Sequence, residues 1–205
     1  IKSSEFETCQ KNGVKDITEV RVGYDGIVFA NSKAAALLDL SREQIFKALA
    51  KEVPVDGKWV ANPNKSWSDI DASLPNTAIE VLGPPPTSGT RDAFVELVME
   101  EACDAFPETE ALDKAGKKAK CQSIREDGGY IEAGENDNLI VQKLDANHDA
   151  FGIFGYSFLE ENADKIQGAK IEGNAPTFEG ISSGSYPVSR PLQFYVKGAH
   201  VGTIP

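Results

Sequence analysis

Basic residues, histidine, cysteine and long apolar runs are all scarce in this chain of 205 residues. It carries 21 Lys and Arg against 32 Asp and Glu, a formal net charge of −11. That balance argues against nucleic acid or an anionic membrane as partner, because both call for a basic patch. No apolar run approaches the ~20 residues of a membrane-spanning helix; Ala34 to Leu40 is short and is followed by charge. No signal peptide is visible. The two histidines, His148 and His200, stand alone, and the three cysteines, Cys9, Cys103 and Cys121, form no C-x-x-C pair. A zinc site is therefore not expected, and no cofactor is implied. There is neither a G-x-x-x-x-G-K-[ST] loop nor a G-x-S-x-G elbow. Asp145 to Asp149 imitates the front of a calcium loop, but Ala150 and Tyr156 stand where that loop needs Gly and Glu. Internal repeats and low-complexity linkers are absent as well.

What is present is ordinary for a globular chain: 40% hydrophobic and 26% charged residues. The length suits one or two small domains with a sizeable core. Strand-like and helix-like stretches alternate, which predicts an α/β sheet. Helices are expected over 32–40 and 41–51, the second capped by Ser41 with Gln44 completing a capping box. Residues 54–67 read as a loop, and 180–185 as flexible. Further helices are expected over 139–144 and around 160–163. Asn136 and Asp137 read as a helix cap or, less favoured, as lining for a cleft.

The most informative stretch is Ala78 to Phe94. A short apolar strand runs into Pro84-Pro85-Pro86, and Ser88-Gly89-Thr90-Arg91-Asp92 then opens a helix. Phe94, Leu97, Val98, Ala102 and Phe106 recur at helical spacing behind it. Backbone N–H groups at a helix start make a donor-rich, positive pocket suited to phosphate or sulfate. Ser88 and Thr90 add hydroxyls, Gly89 allows close approach, and Arg91 adds a planar fork of donors. The bland alternative is an ordinary helix with a Ser/Thr cap.

Four segments, in order, resemble the phosphate-binding subunit family of bacterial phosphate ABC transporters. They are Val20 to Asn31, Pro84 to Phe94, Asp149 to Phe158 and Tyr186 to Val196. Ser66 to Ile70 also resembles a short helix of that family. The resemblance implies an α/β lobe of the periplasmic-binding-protein type (type II): a mixed sheet flanked by helices, with hinge crossings. It divides the chain into 1–30 (remnant of a first lobe and a hinge crossing), 31–185 (second lobe with the anion loop) and 186–205 (return crossover). It implies a non-enzymatic, monomeric periplasmic or extracellular binder of inorganic phosphate that delivers it to a membrane permease, without inserting in the membrane. Ser88, Gly89, Thr90 and Arg91 would hold the ligand, with Asp92 orienting Arg91. Pro84 and Pro86 stand where better-known members carry arginine and aspartate, and Arg91 takes over the pairing. The chain is expected to be the middle of a longer protein. An oxidising compartment would permit a Cys103–Cys121 bridge, against the alternative of free thiols, with Cys9 left without a partner here. Two other readings remain open. One is a phosphate-ester hydrolase or phosphotransfer enzyme with Ser88 or Thr90 as nucleophile; the other is a non-transporting or adhesive relative of the same fold.

Overall fold

The spine of the computed structural model, which describes residues 3–134 and 136–203, is one long strand, β1 (Ile17–Ser32). The other strands are β2 (Asp39–Leu40), β3 (Glu52–Val55), β4 (Lys58–Ala61), β5 (Val81–Gly83), β6 (Tyr130–Glu132), β7 (Phe151–Gly155), β8 (Ile166–Gly168), β9 (Lys170–Ile171) and β10 (Ser189–Lys197). The main sheet runs β10-β1-β7-β5-β6, with β8 also paired to β1. β5 pairs in parallel with both β6 and β7, while β1 is antiparallel to β7, β8 and β10. The sheet is thus mixed, as expected.

β1 has two halves with different surroundings. Residues 17–26 form a two-stranded ribbon with β10, interrupted by an irregularity between Arg21 and Gly23. From Ile27 onward the strand enters the body of the sheet beside β7 and becomes buried.

Alternation of side chains across the sheet builds two cores. Ile27, Phe29, Val81, Phe151 and Ile153 point to the larger one. There they meet helix Arg42–Leu49 and the helical run that starts at Gly89. Val28, Ala30, Leu82 and Phe154 point the other way, onto Ile140, Val141 and Leu144 of helix Asp137–Ala146. Gly152 lets that helix sit directly on the strand, since a Cβ there would meet Ile140 at 2.6 Å. In the larger core Phe29 stacks on Phe151 with centroids 4.7 Å apart, and Trp67 meets both rings edge-on or nearly so. Trp67 is fully buried, in the short 3-10 helix Trp67–Asp69.

Several local expectations hold. Ser41 caps helix Arg42–Leu49 with both hydrogen bonds of a capping box to Gln44. The expected helix at 139–144 lies inside helix Asp137–Ala146, and that near 160–163 coincides only with the end of helix Tyr156–Glu161. Others are corrected. Residues 32–40 are not a helix: Ser32 ends β1 opposite Ile166, and Asp39–Leu40 forms β2 against β9. Long-range pairing overrides the local helix preference of an alanine-rich stretch. The stretch 54–67 holds a hairpin, β3 against β4, turning at Asp56-Gly57 where both residues have positive φ. The expected flexible segment 180–185 is largely helix Phe178–Ser183, capped by Thr177 and ended by left-handed Gly184. Ile1, Lys2, Ile204 and Pro205 lie outside the described residues, so the outer ends of the expected 1–30 and 186–205 segments are not described.

Cys103 and Cys121 are disulfide-bonded, with their Cα atoms 5.4 Å apart. The bond ties helix Glu101–Asp104 to helix Lys114–Cys121. Cys9 is free.

Candidate anion-binding site

The parallel strands β5, β6 and β7 all end at the same edge of the sheet. In open α/β sheets, ligands gather at the carboxyl ends of such strands. From the end of β5 the chain passes through three prolines, which fix φ and hold the backbone extended. Ser88 follows as an extended N-cap, its hydroxyl accepting from the Thr90 N–H at 3.2 Å. The first helical bond runs from Asp92 N–H to the Ser88 carbonyl. The N–H groups of Gly89, Thr90 and Arg91 therefore precede the ladder, and only that of Thr90 is occupied by the Ser88 hydroxyl. The helix continues from Gly89–Phe94 through a wider π-helical stretch, Val95–Glu100, into Glu101–Asp104. Its dipole favours negative charge at Gly89. Gly89 is exposed, and a Cβ there would meet nothing within 4 Å.

The structure gathers Ser88, Gly89, Thr90 and Arg91 on one turn, with Ser88, Thr90 and Arg91 half-buried. Arg91 folds back rather than outward. Its Nη1 donates to the Pro84 carbonyl at 3.2 Å, and its guanidinium lies 4.5 Å from the centre of the Tyr130 ring. Tyr130 in turn donates to the same carbonyl at 2.7 Å. The expectation that Asp92 orients Arg91 is corrected by this geometry. Asp92 is exposed, and among the described residues Arg91 pairs with no carboxylate. Burial pushes the Tyr130 hydroxyl up to about 12, an effect the Arg91 charge opposes.

Beside Arg91 opens a cleft of about 470 Å³, lined among others by Lys51, Pro86, Arg125, Tyr130 and Glu132. Arg125 is 4% exposed and is held by the protein. It donates to the Ala48 and Asn64 carbonyls at 2.9 Å and grips Asp127 through two bonds of 2.6 and 2.7 Å. Lys65 adds a third contact to Asp127 at 2.7 Å. The bond from Arg125, with help from Lys65, holds the Asp127 carboxyl well below the usual carboxylate range. Arg125 is thus a clamp between the Arg42–Leu49 helix end and the loop before β6. Arg91, by contrast, spends Nη1 on the Pro84 carbonyl and pairs with no carboxylate among the described residues.

Asn136 caps helix Asp137–Ala146, accepting from the Asn138 N–H at 3.1 Å, and does not line that cleft. Sequence reasoning missed Tyr130 and Arg125. The Arg-x-Asp spacing of the clamp was a usable signal for the second. The first has none, because its partners lie some forty residues earlier. Among the described residues no cluster of three or more His, Cys, Asp or Glu could hold a metal, and no helix is long and apolar enough to cross a membrane.

A mixed α/β sheet with a helix start at its carboxyl edge defines the class: a lobe of periplasmic-binding-protein type. A family model described as the PBP superfamily domain matches residues 1–205, and the chain belongs to that family. The resemblance read from the four segments is borne out at this level. The phosphate-binding protein PstS of Staphylococcus haemolyticus is 30% identical over 203 residues, covering 96% of this chain and 52% of its own length. Protein SphX of Synechococcus elongatus is 27% identical over 202 residues, covering 96% and 51%. The crystal structure of a possible phosphate binding protein from Planctomyces limnophilus superposes with a TM-score of 0.71 at 28% identity, covering 98% of this chain and 62% of that one. The chain spans about half the length of the curated relatives it matches.

Proposed function

We propose that this chain carries the anion-holding lobe of a solute-binding protein that captures inorganic phosphate and presents it to a membrane permease of an ABC importer. The observation that carries the reading is the helix start at Ser88-Gly89-Thr90, with the Arg91 fork beside it, at the carboxyl edge of the sheet. Relatives named phosphate-binding proteins support phosphate as the anion. Ser88, Gly89 and Thr90 donate hydrogen bonds, and Arg91 supplies charge and a two-pronged contact. The net charge of −11 is no obstacle, because salt screens the global field over about 8–10 Å while the local donors act at contact.

On this reading residues 31–185 form one lobe. The ribbon of β1 and β10 carries the crossings at 1–30 and 186–205, and closure about that ribbon seals the ligand. The protein works outside the cytoplasm, as a monomer, and performs no chemistry. The enzyme alternative is disfavoured by the site itself. Among the described residues the Ser88 hydroxyl bonds to the Thr90 N–H and to no histidine or carboxylate that would activate it.

Calorimetric titration of the full-length gene product with phosphate, sulfate and p-nitrophenyl phosphate tests the proposal. One phosphate should bind per chain, with no release of nitrophenol. Turnover of the ester, or no heat with phosphate, would sink it.

A further inference from the structure

We propose that Tyr130 is the positioning residue of this site, and that it holds Arg91 toward the anion without neutralising it. The inference rests on the reading that Arg91 contacts the ligand. An arginine aimed at an anion must be fixed in place, because the free side chain loses rotamer entropy on binding. Carboxylates do this commonly, but a paired carboxylate cancels part of the charge the ligand is meant to feel. Here the guanidinium is fixed by two neutral groups: the face of the Tyr130 ring at 4.5 Å and the Pro84 carbonyl at 3.2 Å.

Each part of this brace is itself over-determined. Tyr130 is 6% exposed and ends in a 2.7 Å bond to the same Pro84 carbonyl, whose two lone pairs serve both donors. That carbonyl is followed by Pro85 and Pro86, which limit its rotation. The parallel pairing sets Val81 opposite Tyr130 and Gly83 opposite Glu132, so the phenol runs along the strand past Gly83. A Cβ at Gly83 would overlap the phenol oxygen, and the missing side chain there is what admits the ring. With its hydroxyl pushed up to about 12, Tyr130 stays neutral and donating over the physiological range. The aromatic face attracts the cation and leaves the edge of the fork, with its remaining N–H donors, open.

A double-mutant cycle on the full-length gene product, titrated with inorganic phosphate, tests this. Tyr130→Leu removes ring and hydroxyl, and should weaken phosphate binding about three- to tenfold, the range of a partly desolvated cation–π contact. Tyr130→Phe keeps the ring and should lose less. In an Arg91→Ala background, neither change at Tyr130 should alter affinity further by more than about twofold. The side-chain N–H resonances of Arg91 should be shifted by the ring current in wild type and in Tyr130→Phe, and should lose that shift in Tyr130→Leu.

Equal losses from Tyr130→Leu with and without Arg91 would show a merely structural tyrosine and overturn the proposal. So would full affinity in Tyr130→Leu when Arg91→Ala is impaired; the phosphate reading would then stand. If Arg91→Ala itself binds normally, the underlying reading falls and the proposal with it. Should Tyr130→Leu not fold, Tyr130→Phe against Arg91→Lys completes the same cycle, and additive losses there would count against the proposal.

Discussion

Removing the Arg91 side chain is the most revealing single perturbation of this lobe. The guanidinium has five N–H donors and spends Nη1 on the Pro84 carbonyl, so an open edge remains for a two-pronged contact. Loss of a charge-assisted bond costs about 1.5–3 kcal/mol, or roughly 10- to 150-fold in affinity at about 1.4 kcal/mol per decade. The fold should lose less. Arg91 is half-buried and makes no ion pair among the described residues, so its intramolecular losses are the stack on Tyr130 and the bond to the Pro84 carbonyl, together about 1–2 kcal/mol. That corresponds to a fall in melting temperature of about 2–8 °C for a chain of this size. Calorimetry with phosphate and thermal melts by circular dichroism read the two effects separately for Arg91→Ala. Arg91→Lys, which keeps the charge and loses the planar fork, should fall between it and wild type. Affinity within twofold of wild type in a folded Arg91→Ala protein would refute the reasoning.

Two further outcomes follow from the body of the lobe. Thiol counting under denaturing conditions should find one free thiol, Cys9, and replacing Cys103 and Cys121 by alanine should cost roughly 3 kcal/mol for a loop of 18 residues; three free thiols in protein fresh from an oxidising compartment would contradict the bridge. Asp127, whose carboxyl is depressed by Arg125 and Lys65, contributes stability that is fully present above the unfolded value of about 4 and is lost as pH falls through its lower folded value. Urea melts between pH 7 and pH 2 should therefore show a shallower acid loss in Asp127→Asn than in wild type, and parallel curves would remove Asp127 from the account.

The parts of this fold that were legible in the sequence are those whose causes are local. Ser41 with Gln44, and Ser88 ahead of an apolar helical stripe, write their helix starts within four residues. The four segments ending at Asn31, Phe94, Phe158 and Val196 carried the family because its strands and loop follow in fixed order. The parts that failed depend on distant partners. Residues 32–40 look helical until β1 meets β8 and β2 meets β9, well over a hundred residues along the chain. Asp92 was expected to steer Arg91 because it is adjacent in sequence, yet on a helix neighbouring residues point about 100° apart. The true partners, Pro84 and Tyr130, come together only when β5 and β6 pair. Trp67, equally readable as rim or core, is settled as core by its contacts with Phe29 and Phe151.

The central claim is that phosphate sits on the backbone at the start of the Gly89 helix. Nitrogen–proton correlation spectra of the full-length gene product, recorded while phosphate is added, test it most directly. The Gly89 and Arg91 backbone amides, which precede the helical ladder, should shift furthest downfield, in step with saturation at one phosphate per chain, as N–H groups bonding an anion do. Saturable phosphate binding that leaves those two amides unmoved would contradict the account.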